Sequence, residues 1–263
     1  MENTIKVETT DGIATITLNR PPFMNAFHRE MTETLGKILF ELSADPKVFG
    51  VIITGAGKAF CAGGDLKWLS DCGGKSPGES FRLLATIFHQ AILEIRRMPK
   101  PVVAAINGFA AGGGFSLALS CDFRIMEASA VLRQAYTSNG LSIDGGGSFS
   151  LPRLVGLARS IEIAALDQPI SSEKALSWGL VTKVAEDGKA SQQAFEFIEE
   201  VLKRPLSSFS ASKKLLTDSF GTSLEVQLER EKEFISFCAD HPNGREGVSA
   251  FLQKRLPRFT KTP

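Results

Sequence analysis

The chain has 263 residues, of which 43% are hydrophobic and 22% charged, the profile of an ordinary globular protein long enough to bury a sizeable α/β core. Thirty basic residues against 29 acidic ones give a net charge of +1, which excludes the broad basic surface that phosphate-dominated nucleic-acid binding needs. Four cysteines (Cys61, Cys72, Cys121, Cys238) without a CxxC pair, and three scattered histidines (His28, His89, His241), suggest neither a disulfide framework nor a metal site. The first twenty residues contain no apolar core of signal-peptide length and no stretch reaches membrane-spanning length, so no membrane partner and a cytoplasmic location are expected.

Ile5–Val7 and Ile13–Leu18, parted by the turn residues Asp11 and Gly12, predict a β-hairpin. Apolar residues at helical spacing predict a helix over Met31–Leu42, ended by Asp45-Pro46. The runs Phe49–Thr54 and Val102–Ile106 are continuously apolar, as strands buried on both faces would be. Between them Gly73–Gly78 reads as a mobile loop and Phe81–Arg97 as an amphipathic helix, with His89 near its middle. Such alternation implies parallel pairing through right-handed crossovers. Beyond about residue 190 only helical patterns follow: Ala190–Leu202, Ser207–Ser219, Ser223–Ala239 and Arg245–Lys254. The expected organisation is an α/β core over residues 1–190 and a helical region over 191–263.

Two glycine-rich segments each follow a buried strand, where main-chain groups can be aimed at a ligand. The first, Gly55–Leu66, is no P-loop: Ile52 stands where the leading glycine belongs, and Ala59 where Ser or Thr should follow Lys58. It also fails the dinucleotide pattern, with Phe60 in place of the third glycine. In the second, Asn107–Asp122, three glycines open an apolar helix. The free N–H groups of a first helical turn suit a developing negative oxygen, and a further N–H from the first loop would complete an oxyanion hole. The same glycines also serve tight turns and close helix packing, and for either segment alone that reading stands equally.

Taken together, Asn19-Arg-Pro with Asn25-Ala26, Ala59–Leu66, Lys100–Gly108, Ala111–Gly114, Cys121-Asp122, Leu151–Gly156, Ala175–Val181 and Arg245–Phe251 resemble the crotonase (enoyl-CoA hydratase/isomerase) superfamily over nearly the whole chain. The resemblance implies a spiral of ββα units, a helical C-terminal region that builds a homotrimer or a dimer of trimers, and an acyl-CoA substrate. No separate cofactor is implied, since coenzyme A is part of the substrate. By motif position the oxyanion donors would be the N–H groups of Gly64 and Gly113. The CoA portion would pass Ala26, Ala62, Asp65 and Leu66, with Lys67 near a phosphate.

The hydratases of the superfamily carry two glutamates at positions that here are Ser116 and Tyr136. Neither is a carboxylate, so ordinary two-glutamate hydration is doubtful. A carboxylate appears instead at Asp144, within Gly140–Gly147, where family branches that isomerise ring epoxides or dienes, or dehalogenate aryl thioesters, carry aspartate. The phenylacetyl-type isomerases look closest. The expected activity is therefore enoyl or ring isomerisation with Asp144 as proton shuttle; Asp144 as a turn residue capping the following helix is the plainer reading. Hydration is the alternative. A hydrolytic or dehalogenating enzyme with Asp144 as nucleophile and His89 activating water, and a non-catalytic acyl-CoA binder, stay open as minor ones. Periodicity reads His89 as core-lining; Ser116 reads as a small residue packed in its helix and able to orient a water, and Tyr136 as a pocket wall whose hydroxyl could steer the substrate.

Overall fold

The structure is a computed structural model that describes residues 4–71 and 76–260. It opens with β1 (Ile5–Thr10) and β2 (Ile13–Leu18), an antiparallel hairpin turned at Asp11 (φ 50°) and Gly12 (φ 78°), the left-handed pair that two-residue hairpins favour. Helix α1 (Arg29–Ala44) follows. It buries Met31, Leu35, Leu39 and Leu42 on one stripe, and ends at Asp45, which Pro46 holds in an extended conformation. Lys100 is buried beyond that end, its Nζ donating to the carbonyls of Leu42 and Asp45 at 2.6 and 2.7 Å. A cation here satisfies orphan carbonyls at the negative pole of the helix.

From β3 (Gly50–Gly55) to β8 (Val131–Arg133), successive strands alternate between two sheets. The large sheet runs β1-β2-β3-β5-β7-β10, with β5 (Val102–Ile106), β7 (Phe123–Glu127) and β10 (Lys183–Ala185) joined in parallel. The small sheet runs β4-β6-β8-β9: β4 (Ala59–Cys61), β6 (Phe109–Ala111) and β8 (Val131–Arg133) are parallel, and β9 (Ile170–Ser171) is antiparallel at the edge. Each turn thus lays one strand in each sheet before a helix brings the chain back, which is the ββα spiral the resemblance implied. The helices are α2 (Leu66–Ser70), α3 (Pro77–Arg97), α4 (Gly113–Ser120), α5 (Gly147–Leu166) and α6 (Ser172–Ser177).

Strand periodicity splits the large sheet between two cores. Val51, Ile53, Val102 and Ala104 face the main core with α1, α3 and α4, while Ile13, Ile52, Val103, Ala105 and Ile125 face the other side. That second face is covered by α7 (Ala190–Val201) through Ala190, Ala194 and Ile198, so the packing of the sheet runs on past residue 190. Beyond it lie α8 (Leu206–Asp218), α9 (Leu224–Asp240) and α10 (Pro242–Leu252). Lys213 ties α8 to the core, its Nζ reaching the Asp122 carboxylate at 2.7 Å and the carbonyls of Ile95 and Lys100. Helix α9 buries none of its residues and exposes Leu224, Leu228, Ile235 and Phe237.

Two expectations change. The loop read over Gly73–Gly78 falls partly on residues 72–75, outside the described residues. Its remainder is helical: Ser76 and Glu79 form a reciprocal capping box with Pro77 in the first turn, so α3 begins four residues before Phe81. His89 is not core-lining but exposed. The buried stripe of α3 is Ser80, Leu84, Phe88, Ala91, Ile92 and Ile95, and His89 stands one step, about 100°, round the helix from Phe88. Among the described residues no helix is long and apolar enough to cross a membrane, and no group of three potential metal ligands occurs.

Candidate active site

The two glycine loops meet at the ends of β4 and β6. Gly63 (φ 94°) and Gly112 (φ 52°) hold left-handed conformations that a side chain would strain, and a Cβ on Gly63 would lie 3.0 Å from the Gly113 nitrogen. Phe27 fixes the first loop from the other side: its N–H donates to the Gly63 carbonyl at 2.7 Å, and its carbonyl accepts the Asp65 N–H at 2.8 Å. This bridge skips the Gly64 N–H. Gly113 opens α4, where the first N–H groups have no helical acceptor. Among the described residues neither N–H has a partner within the protein, and both glycines line one cavity of about 430 Å³.

The cavity wall is mainly apolar, with Phe27, Leu69, Leu84 and Phe88 prominent, the rings of Phe27 and Phe88 tilted against one another with centroids 4.9 Å apart. Asp144 supplies the only carboxylate among its described lining residues. The loop that carries it packs closely on α3 and α4 because it is glycine-rich: a Cβ on Gly145 would lie 2.4 Å from the Phe88 ring of α3, and one on Gly147 2.7 Å from Ser116 Oγ of α4. The Tyr136 hydroxyl reaches Asp144 Oδ1 at 2.6 Å and Ser116 Oγ at 3.1 Å, while Ser116 Oγ donates to the Asp144 carbonyl oxygen at 2.8 Å. Burial first, and the Asp144 charge second, push the Tyr136 phenol far above its ordinary value, so it keeps its proton throughout the range in which an enzyme works.

The structure therefore brings Gly64, Gly113, Tyr136 and Asp144 together at one cavity, with Ser116 wholly buried directly behind. His89 does not line that cavity. Its Nε2 accepts the Gly145 N–H at 3.3 Å, which supports the Asp144 loop from outside. Of the residues expected along CoA, Ala62 and Leu66 line the cavity, Ala26 is buried beside it and Lys67 is exposed. Asp65 caps α2 by accepting the Trp68 N–H.

Arg20 was quoted in the sequence only as part of a motif, without a role. Its guanidinium joins the Asp65 carboxylate at 3.1 Å to the Ala26 carbonyl and so fastens the Ala26 and Asp65 segments together. Asn25 (φ 56°) does comparable work from a fully buried position: its amide donates to the carbonyls of Ala56 and Ala59, and its oxygen accepts the Arg20 N–H. These are contacts across more than thirty residues of chain, and no local spacing announces them.

On a ββα spiral, two main-chain donors converging beside one carboxylate mark an enzyme of the crotonase superfamily. The comparisons agree: the profile of the family described as Enoyl-CoA hydratase/isomerase matches residues 8–262. The chain is 34% identical over 250 residues to 1,2-epoxyphenylacetyl-CoA isomerase of Escherichia coli K12, covering 95% of each chain. It is 35% identical over 259 residues to a probable enoyl-CoA hydratase of Rhodobacter capsulatus, covering 98% of each. The crystal structure of an enoyl-CoA hydratase from Polaromonas sp. JS666 superposes with a TM-score of 0.91 at 36% identity, over 97% of this chain and 99% of that one. The chain belongs to the enoyl-CoA hydratase/isomerase family.

Proposed function

We propose that the protein is an acyl-CoA isomerase that moves a double bond, or rearranges a ring, next to a thioester. The observation that carries this reading is that Asp144 is the sole carboxylate among the described residues lining the cavity that also receives the Gly64 and Gly113 N–H groups. The thioester carbonyl oxygen accepts from both N–H groups, which stabilise the negative charge that builds on it when a neighbouring C–H is broken. The Asp144 carboxylate takes that proton, leaving a dienolate, and returns it to a different carbon as the dienolate collapses. In double-bond migration substrate and product differ only in where the proton and double bond sit, and neither this nor ring rearrangement consumes water. The Tyr136 hydroxyl, held in its protonated form, is a donor in this site and not a base.

The CoA portion is assigned to the channel past Ala26, Ala62, Asp65 and Leu66, with Lys67 at its outer end. Trimers, or dimers of trimers, are assigned to the helical C-terminal region, where α9 and α10 expose Ile235, Phe237, Phe251 and Leu252. Hydration is the competing reading, supported by the relatives named hydratases. It needs groups that hold water and deliver a proton, and the two positions that resemble the hydratase glutamates carry hydroxyls only. A hydrolytic route with His89 activating water lacks support from the geometry, since His89 lies outside the cavity wall and its Nε2 is engaged.

The test is turnover of 2-enoyl-, 3-enoyl- and phenylacetyl-epoxide-CoA in D₂O, followed by mass spectrometry. Isomerisation yields a product of unchanged composition apart from exchanged deuterium. Asp144→Asn should lower kcat by roughly 10²- to 10⁴-fold with KM nearly unchanged. Gain of one water across the double bond, or wild-type turnover by Asp144→Asn, refutes the reading; tight acyl-CoA binding without turnover would mark a non-catalytic member.

A further inference from the structure

Ser116, Tyr136 and Asp144 form a closed ring of three hydrogen-bond contacts: Ser116 Oγ to the Asp144 carbonyl at 2.8 Å, Ser116 Oγ to the Tyr136 hydroxyl at 3.1 Å, and that hydroxyl to Asp144 Oδ1 at 2.6 Å. Each contact requires one proton. The two hydroxyls bring one proton each, and the carbonyl brings none. While Asp144 is ionised, three contacts share two protons: Tyr136 donates to the carboxylate, and Ser116 must divide its proton between the Tyr136 oxygen and the Asp144 carbonyl. A proton on Oδ1 fills the ring. The carboxyl O–H then donates to Tyr136, Tyr136 to Ser116, and Ser116 to the Asp144 carbonyl, and every contact carries one proton.

We infer that Ser116 is a positioning residue that, through the Tyr136 hydroxyl linking it to Asp144, stabilises the proton-carrying form of Asp144, making the carboxyl group a holding site for the substrate proton between its removal and its return. This rests on the isomerase reading and explains what the two hydroxyls do there. A shuttle must be neutral for the lifetime of the dienolate, and the ring offers the neutral carboxyl one more hydrogen bond than the ionised one. Whichever oxygen takes the proton from carbon, rotation about the Cβ–Cγ bond brings it to Tyr136 or back toward the substrate. Burial of Ser116 and Tyr136 sharpens the effect, because an unfilled contact away from water is costly.

Few other groups face Asp144. Helix α3 brings His89, bonded to the Gly145 N–H, and Arg82, which lines the same cavity; α4 brings Ser116 and no charge; the first residues of α5, Gly147-Ser148-Phe149, bring none.

Removing the two hydroxyls should move the basicity of Asp144 in opposite directions, which no merely structural role would do. Without Ser116 Oγ, the Tyr136 proton has Asp144 as its one acceptor, and the carboxylate is favoured. Without the Tyr136 hydroxyl, the carboxylate loses a charge-assisted donor, a stronger bond than the neutral acid loses. Tyr136 is the chain's only tyrosine, so protein labelled with [4-¹³C]tyrosine gives one resonance, reporting on Asp144 from 2.6 Å away. Titrated without ligand from roughly pH 3 to pH 8, the wild-type resonance should inflect with Asp144, and Asp144→Asn should abolish the inflection. Ser116→Ala should lower its midpoint by about one pH unit, and Ser116→Cys, whose sulfur accepts weakly, by less. Tyr136→Phe, which carries no label, should raise the acid limb of the turnover profile by a similar amount.

A midpoint unmoved or raised in Ser116→Ala, or an acid limb lowered in Tyr136→Phe, overturns the inference. Persistence of the wild-type inflection in Asp144→Asn overturns it too. The outcome is separable from that of the isomerase reading, because the titration judges the ring in unliganded protein, whereas the turnover of Asp144→Asn judges the shuttle.

Discussion

Gly114 offers the sharpest test of how the proposed oxyanion donors are placed. A methyl group added there would sit 2.0 Å from the Cys61 carbonyl oxygen and 2.7 Å from its carbon, and both atoms are main chain at the end of β4, an edge strand of the small sheet. Real Cβ atoms essentially never come closer than 3.0 Å, so Gly114→Ala must drive α4 and β4 apart by about 1 Å. Two costs follow. Overpacking of this size destabilises by about 1 to 3 kcal/mol, which in a chain of this length lowers Tm by roughly 2 to 12 °C. The same movement carries the adjacent Gly113 N–H away from Gly64, and a misplacement of about 1 Å at a reacting centre costs roughly 10²-fold in rate. Thermal unfolding and steady-state kinetics on the best substrate from the D₂O panel measure both. A Gly114→Ala protein that unfolds at the wild-type temperature and keeps wild-type kcat would refute the claim that backbone contact between α4 and β4 sets the site.

Arg20→Met should raise KM for acyl-CoA about tenfold while kcat stays within about twofold, because Arg20 ties Ala26 to Asp65, both on the proposed path of CoA, and does not line the cavity; an unchanged KM would contradict that role. His28 caps α1 with its imidazole, and burial, then Arg20, hold its pKa below the usual histidine value. The folded state therefore binds fewer protons than the unfolded one, so its contribution to stability is full above about pH 6.5 and is lost as pH falls through the depressed folded value. Tm measured from about pH 7.5 down to pH 5 should decline, and His28→Asn should flatten that part of the decline; identical slopes would rule the cap out as its source. Burial raises the Cys61 and Cys121 thiols to about 12. Both should therefore resist iodoacetamide at about pH 8 in the folded protein and react after unfolding, as mapped by mass spectrometry; native-state alkylation of either would show that the core opens.

The elements legible in the sequence were those whose residues meet a uniform environment. Val51–Ile53 and Val102–Ile106 are buried on both faces, and that alone makes a continuous apolar run. The helix stripes of α1 and α3 were likewise visible, but a stripe has an edge, and His89 stands just past it, where periodicity assigned it to the wrong side. The glycine loops were readable because close main-chain approach excludes side chains at Gly63 and Gly114, and a positive φ strains one at Gly112. The Ser116–Tyr136–Asp144 ring was not. Its members sit on a helix, at the entry to a short turn and on a glycine loop, and only the folding of the loop back over α4 makes them neighbours. Arg20 and Asn25 belong to the same category, since the distant partners each ties down lie 31 to 45 residues away.

In the proposed mechanism the groups that hold charge, at Gly64 and Gly113, are main-chain N–H groups, while those that handle protons are side chains. A point substitution can replace Asp144, Tyr136 or Ser116 outright, but it cannot delete an N–H except by inserting proline. Inheritance therefore acts unequally on the two halves of the site. The charge-stabilising half is encoded in the shape of the chain and persists as long as the spiral folds, whereas the proton-moving half is open to single-codon revision. A lineage built on this scaffold can drift from one thioester reaction to another without ever losing the capacity to hold an enolate.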